Sequence, residues 1–211
     1  MMEIVEYTTL IVCNGTIKME PRSVALYDEQ VITPVRRFVS ISSKISPEVA
    51  ELGDLVNAAF SAQKSFIGTA MQTSNPTKEQ LLQLLRPTSD KIDAIMDLRN
   101  SKRSSAFFNH LSTISESIPA LGWINVVPAP ASFIKEMEDA SQFYANRVLK
   151  DFKDKDPIHA HWVKAWTEVL TNLYNYVKTN HTSGLTWNLN KVRFEITSFT
   201  RESHFDKNKV A

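Results

Sequence analysis

From Ser23 onward, apolar residues recur at intervals of three and four, and Thr, Ser and Pro divide the pattern into six long segments. The first, about 24–44, places Val24, Tyr27, Val31, Val35, Phe38 and Ile45 near one face, with a kink expected at Pro34. The second opens on Ser46-Pro47-Glu48, a capping serine with a first-turn proline and an early acid, and continues through Val49, Leu52, Val56, Phe60, Ile67 and Met71. Asn75-Pro76-Thr77 interrupts the chain, and Thr77-Lys78-Glu79-Gln80 restarts it with a capping box. Leu81, Leu85, Thr88, Ile92 and Ile95 stripe this third segment, which also holds Pro87.

The fourth segment is expected to start at Ser104 or Ser105. It steps 4, 3, 4, 3 through Phe107, Leu111, Ile114, Ile118 and Leu121 and ends near Gly122-Trp123. After Val127-Pro128-Ala129-Pro130, the fifth runs from about 131 to 154 with Ile134, Met137, Tyr144, Val148 and Phe152. The sixth follows Asp156-Pro157 with Ile158, Trp162, Trp166, Val169, Leu173 and Tyr176, and Gly184 terminates it.

Segments of this length are ~30–40 Å long at 1.5 Å per residue, and their short links force antiparallel neighbours. The chain therefore reads as all-α, an antiparallel up-and-down six-helix bundle. Links near 45–46, 100–104 and 155–157 share one pole, and those near 73–77, 123–131 and 182–187 share the other. The flanks lack this period. Residues 1–22 read as an irregular N-terminal arm, 23–184 as the bundle domain and 185–211 as an irregular tail. Within the tail, Val192, Phe194 and Ile196 alternate as a short strand would, without a nameable partner.

Composition narrows the chemistry. Only five glycines occur (Gly15, Gly53, Gly68, Gly122, Gly184), where average usage of about 7% would give roughly 15. Their wide spacing excludes dinucleotide loops, P-loops and the nucleophile elbow, all of which need clustered glycines. Lys+Arg 24 against Asp+Glu 23 gives a net charge of +1, so nothing points to nucleic acid. A lone Cys13 excludes an internal disulfide and a cysteine zinc site and fits a reduced, cytoplasmic protein. No run reaches the ~20 apolar residues of a membrane span. Glu3 and Glu6 stand ahead of the apolar run Tyr7–Cys13, where a signal peptide would be basic. The triplets Asn14-Gly15-Thr16 and Asn180-His181-Thr182 are then chance matches to a glycosylation signal.

Candidate catalytic groups are sparse. His159 and His161 stand two apart, on different helix faces, and no glutamate has a histidine three residues later, so no metal and no cofactor is expected. Ser112, Ser115 and Ser117 read as a polar helix face, Trp162 and Trp166 as core, and Trp123 and Trp187 as staples at helix ends. The chain does not read as an enzyme. Arg99, Lys102 and Arg103 gather at the link between the third and fourth segments, where they also complement a helix C-terminus.

Several blocks carry a family resemblance. Arg103-Ser104-Ser105-Ala106-Phe107-Phe108-Asn109-His110-Leu111-Ser112, continuing through Ile114-Ser115-Glu116-Ser117-Ile118 to Leu121-Gly122-Trp123, resembles the N-terminal helical folded domain of cyclase-associated protein. So do Val127-Pro128-Ala129-Pro130, Phe143-Tyr144-Ala145-Asn146-Arg147-Val148-Leu149-Lys150 and His181-Thr182-Ser183-Gly184-Leu185-Thr186-Trp187. The likeness covers about 24–188. It implies a six-helix bundle that binds actin, acts with cofilin to speed disassembly at filament pointed ends, and belongs with the cytoskeleton in the cytoplasm.

The family also connects to adenylyl cyclase and Ras-type signalling through leading heptads, and a weak homodimer belongs to the same alternative, a helical scaffold without actin activity. Residues 1–22 do not match those heptads, and the family's proline-rich and β-rich C-terminal regions are missing. The chain thus reads as a truncated or alternatively spliced form, or a fragment with unusual ends, that keeps filament disassembly and loses monomer recharging. Candidate actin/cofilin contacts are Asn100, Lys102, Arg103 and Asn109, because a basic, polar helix junction suits an acidic surface. Glu116, Lys135 and Arg147 are second choices, while Phe107 and Leu111 are assigned to the core.

Overall fold

The computed structural model describes residues 7–13 and 16–188. Its helices are α1 (Arg22–Tyr27), α2 (Thr33–Ser42), α3 (Pro47–Ala70), α4 (Lys78–Ser101), α5 (Phe108–Ser117), α6 (Pro130–Phe152) and α7 (Ile158–Asn180). A π-helical turn, Asp28–Ile32, joins α1 to α2 into one rod, and a 3-10 turn, Ile118–Asn125, prolongs α5. The result is six rods. Each packs on the next, and α7 returns to pack on α2.

Local chemistry explains most boundaries. Pro34 has no N–H to give to the preceding turn, and the rod widens into the π turn just before it, where the Thr33 hydroxyl donates to the Asp28 carbonyl at 3.2 Å. Ser46 caps α3 by accepting from the Val49 amide at 3.2 Å, with Pro47 in the first turn. Thr77 and Gln80 form a reciprocal capping box on α4.

The rod expected from Ser104 or Ser105 starts at Phe108 instead. The Ser105 hydroxyl accepts from the Phe107 amide at 3.0 Å and donates to a Glu48 carboxylate, which holds 102–107 in turns. The arm over 1–22, expected to be irregular, contains an antiparallel hairpin, β1 (Tyr7–Cys13) with β2 (Thr16–Pro21), in which Leu10 faces Met19 and Cys13 faces Thr16. Its sequence signal is Asn14-Gly15 between two apolar runs, a pairing that favours two-residue hairpin loops. The alternating stretch Val192 to Ile196 lies outside the described residues.

The most enclosed element is α5. Leu111 and Ile114 are fully buried, and so are Ser112, Thr113 and Ser117, with Ser115 nearly so. The serines are therefore not a solvated face. A helix buried all round needs small polar side chains that bond within it, and these do: Ser115 donates to the Ser112 carbonyl at 3.2 Å, Ser117 to that of Thr113 at 2.8 Å, and Thr113 to that of Asn109 at 2.8 Å.

Three fully or almost fully buried tryptophans then use the remaining acceptors. Trp166 donates to Ser117 at 2.9 Å, Trp162 to Ser42 at 2.9 Å and Trp123 to Gln63 at 3.1 Å. Trp123, expected at a helix end, is core. Trp187 does pack at an end, half-buried and edge-on to Phe66 at 5.8 Å. Gln63 is the junction of three rods: its Oε1 accepts from Tyr27 at 3.0 Å and from Trp123, and its Nε2 donates to the Leu121 carbonyl at 2.6 Å.

Two glycines act where backbone geometry demands them. A Cβ at Gly53 would stand 3.0 Å from the Ser42 Cβ, so this glycine lets α2 and α3 approach. Gly184 has φ +125°, and a Cβ there would meet Val127 at 2.9 Å, so the segment after α7 closes onto the 126–129 link. The Asn188 amide also donates to the carbonyls of Ala70 and Thr73, which ties that segment to the 71–77 link. At the opposite pole, Lys102 pairs with Glu48 at 3.6 Å.

One pairing escaped the sequence. His110 Nε2 and His159 Nδ1 lie 2.9 Å apart within a ring cluster of Phe107, Phe152 and Trp162. His161 is exposed, and no group of three His, Cys, Asp or Glu among the described residues could hold a metal ion. Burial, with the neighbouring His159, lowers His110 to about 3, and burial lowers His181, which bonds Tyr176 at 3.1 Å, to about 4. Burial also lowers His159.

Two outcomes follow from these interiors. Gln63→Leu leaves the Tyr27 hydroxyl, the Trp123 N–H and the Leu121 carbonyl without their partner, and should cost about 3 kcal/mol in urea unfolding, while exposed Gln83→Leu stays within about 0.5 kcal/mol. Because His110 and His181 are depressed below an unfolded value near 6.5, their contribution is complete above that pH and is lost as pH falls towards about 4 and then about 3. The urea midpoint should therefore drop between about pH 7 and about pH 4.5, and drop less in His110→Phe. Equal drops in both proteins would contradict this assignment.

Candidate functional site

Arg99, in the last turn of α4, organises the surface where α4, α5 and α6 meet. Its Nε donates to Ser112 at 3.2 Å, one terminal nitrogen donates to Asn100 Oδ1 at 3.3 Å, and the other reaches the Tyr144 hydroxyl at 3.5 Å and Glu116 at 3.7 Å. The guanidinium also lies 5.0 Å from the centre of the Phe108 ring. With only 23% of its side chain exposed, it is a fixed group whose planar fork matches several acceptors at once.

The patch continues along α6. Phe143 is 57% exposed, Tyr144 stands edge-on to it at 5.1 Å, and Arg147 stacks over its ring at 4.4 Å. An exposed aromatic flanked by arginine is the side-chain chemistry that dominates binding energy at protein interfaces.

Of the residues singled out in the sequence, Asn100, Lys102, Arg103 and Asn109 gather at the α4–α5 junction. Asn100 accepts from Arg99, Lys102 pairs with Glu48, and Asn109 donates to Asp151 at 2.9 Å, which links the junction to the end of α6. Arg103 is exposed and has no partner among the described residues. Glu116 and Arg147 adjoin the junction through Arg99, Tyr144 and Phe143. Lys135 does not: it lies nine positions before Tyr144, about 14 Å along α6 at 1.5 Å per residue. Hydrogen bonds to Glu138 at 3.0 Å and Asp139 at 3.2 Å hold its ammonium above the ordinary lysine value. Phe107 is half-buried against Phe152, and Leu111 is fully buried.

Sequence reasoning overlooked Arg99 as the hub and Phe143 and Tyr144 as its exposed extension. The signal for Arg99 was its place in the final turn of a helix leading into a serine-rich buried one. No spacing rule linked it to Tyr144, 45 positions away. No helix among the described residues is long and apolar enough to cross a membrane.

Comparison with known proteins agrees with this architecture. Residues 27–185 match the family described as "CAP, N-terminal domain". The chain is 43% identical over 174 residues to human adenylyl cyclase-associated protein 2, covering 82% of this chain and 36% of that protein. It is 40% identical over 164 residues to human adenylyl cyclase-associated protein 1, covering 78% of this chain and 34% of that one. The chain thus spans about a third of the length of these relatives.

Among solved structures, the N-terminal domain of CAP whose crystal structure is said to indicate variable oligomerisation superposes with a TM-score of 0.76 at 40% identity, over 79% of this chain and 90% of that one. The N-terminal domain of the adenylyl cyclase-associated protein from Dictyostelium discoideum gives 0.72 at 40% identity, over 79% and 93%. A match to the family over most of the chain, the identity to its members and the shared six-rod bundle together show that this chain belongs to the CAP N-terminal domain family.

Proposed function

We propose that this domain is an actin-binding cytoskeletal regulator that acts with cofilin to promote disassembly at filament pointed ends, in the cytoplasm and associated with the cytoskeleton. The observation that carries this reading is the rigid basic and aromatic surface around Arg99, whose partners Phe108, Ser112, Glu116 and Tyr144 come from the sequence blocks that carry the family likeness. A protein surface that binds a filament end needs anchors that lose little freedom on docking, and Arg99 is already held by four neighbouring side chains.

On this reading Asn100, Lys102, Arg103 and Asn109 meet the acidic surface of the terminal actin and its bound cofilin. Glu116 and Arg147 flank them, and Phe143 supplies the apolar contact. Binding stabilises the state in which the last subunit detaches, so the domain lowers a kinetic barrier without a covalent step. Lys135 belongs to this contact only if the partner also extends about 14 Å along α6.

A second reading is favoured by what the relatives are called and by the variable oligomerisation stated for one solved N-terminal domain. It is a helical scaffold that forms a weak homodimer or docks adenylyl cyclase or Ras-type signalling partners, without direct actin activity.

Pointed-end depolymerisation of cofilin-decorated filaments separates the two. Lys102→Ala/Arg103→Ala is expected to slow the stimulated rate about tenfold, with Phe143→Ala acting in the same direction and Lys135→Ala within about twofold of the parent. A folded Lys102→Ala/Arg103→Ala protein with an unchanged rate rejects the junction. Failure of the parent chain to co-sediment with cofilin–actin at low salt, together with concentration-dependent dimerisation in sedimentation equilibrium, would select the scaffold.

A further inference from the structure

A groove of about 470 Å³ runs along the seam between α2 and α7 and shares no residue with the Arg99 surface. Two stripes form its walls. On the first rod, Arg37 and Ile41 stand one turn apart on α2, and Lys44 follows in the turn just past its end. On α7, His161, Lys164 and Glu168 follow one another at helical spacing. Its one lining carboxylate, Glu168, is already engaged by Arg37 at 3.2 and 3.4 Å, which closes one end with a neutral pair.

Lys44 and Lys164 remain, exposed and without a partner among the described residues. In a chain whose basic and acidic residues balance at 24 to 23, this is a local excess of positive charge. The α7 terminus does not create it, because the Ile158 amide is already capped by Asp156 at 2.9 Å.

The floor decides what kind of anion fits. Ile41, Ile158 and Ala165 line the space between the cations. An apolar floor between two ammonium groups disfavours a lone inorganic anion, which would be desolvated there without gain, and favours a segment carrying both carboxylates and an apolar side chain. From Arg37 to Lys44 the wall is about 10 Å long at 1.5 Å per residue, which is three to four residues of extended peptide at about 3.3 Å each.

We propose that the α2–α7 groove docks an acidic, apolar-anchored peptide segment of a partner protein, its carboxylates meeting Lys44 and Lys164 and its apolar side chain resting on Ile41 and Ile158. The site is separate from the Arg99 surface, so the domain can hold two partners at once. This inference does not rest on the actin reading.

The test uses the full chain, labelled with nitrogen-15, and the peptide acetyl-Glu-Leu-Glu-Glu-Leu-Glu-amide as probe. Amide shift changes should be confined to residues 37–44 and 158–168. Lys164→Glu should weaken binding about tenfold, as should Lys44→Glu, and raised salt should weaken it further. Lys91→Glu, the same charge change at an exposed position on α4, should stay within about twofold.

Folding of each variant is read from its own amide spectrum. Shift changes that are absent, or spread over every lysine-bearing face, overturn the proposal. So does an all-glutamate hexapeptide that binds as tightly, since it lacks the anchor. Inorganic phosphate producing the same shift pattern where the peptide produces none assigns the groove to phosphate instead.

Discussion

Enclosing α5 is the constraint from which the remaining architecture follows. A ten-residue helix buried on nearly every side needs most of its polar side chains satisfied inside the protein, because each unpaired buried group costs about 1–3 kcal/mol. Here His110 Nδ1 alone of the helix's buried side-chain polar atoms lacks a partner among the described residues. Ser115, Thr113 and Ser117 meet that demand from within the helix, and Ser117 and Ser112 go further by accepting from Trp166 on α7 and Arg99 on α4. These bonds set the neighbouring rods in register as well as in place. Gln63 does the same at the far end of α5, where the 3-10 turn meets the first rod and α3.

This internal register is what makes the outer surface specific. Arg99 is pinned from below by Ser112, so its remaining donors face Glu116, Tyr144 and Asn100 in a fixed orientation. A binding surface resting on loops would lose freedom on docking, whereas this one is prepaid in the core by a serine hydroxyl and a run of apolar contacts. Long rods also place separate chemistry on separate seams: arginine and aromatic rings where α4 and α6 flank α5, lysines over an apolar floor where α2 meets α7.

Much of the rod pattern was legible in the sequence because its causes are local. Ser46-Pro47-Glu48 and the Thr77–Gln80 box announce helix starts through contacts within one turn, and the apolar stripes of Trp162 to Tyr176 depend only on helical spacing. What stayed hidden depends on distance in the chain. Ser112, Ser115 and Ser117 read as surface because serine is usually exposed, and only enclosure by other rods reverses that. His110 and His159, 49 positions apart, meet across α5 and α7, and Tyr144 meets Arg99 across 45. The α5 start shifted to Phe108 because Ser105 bonds Glu48, 57 positions earlier. The Asn14-Gly15 pair, by contrast, is a local hairpin signal, but the strands it joins are short and carry none of the helical period that marks the rest of the chain.

Native-state hydrogen exchange tests the central claim most directly. If α5 is the enclosed frame of the bundle, its amides from Leu111 to Ser117 should exchange only through global unfolding, with the same free energy and the same denaturant slope as the urea transition. The first half of α4, whose Leu82 is largely exposed, should open locally at lower cost. Exchange of the α5 amides at rates matching the first half of α4 would contradict the account.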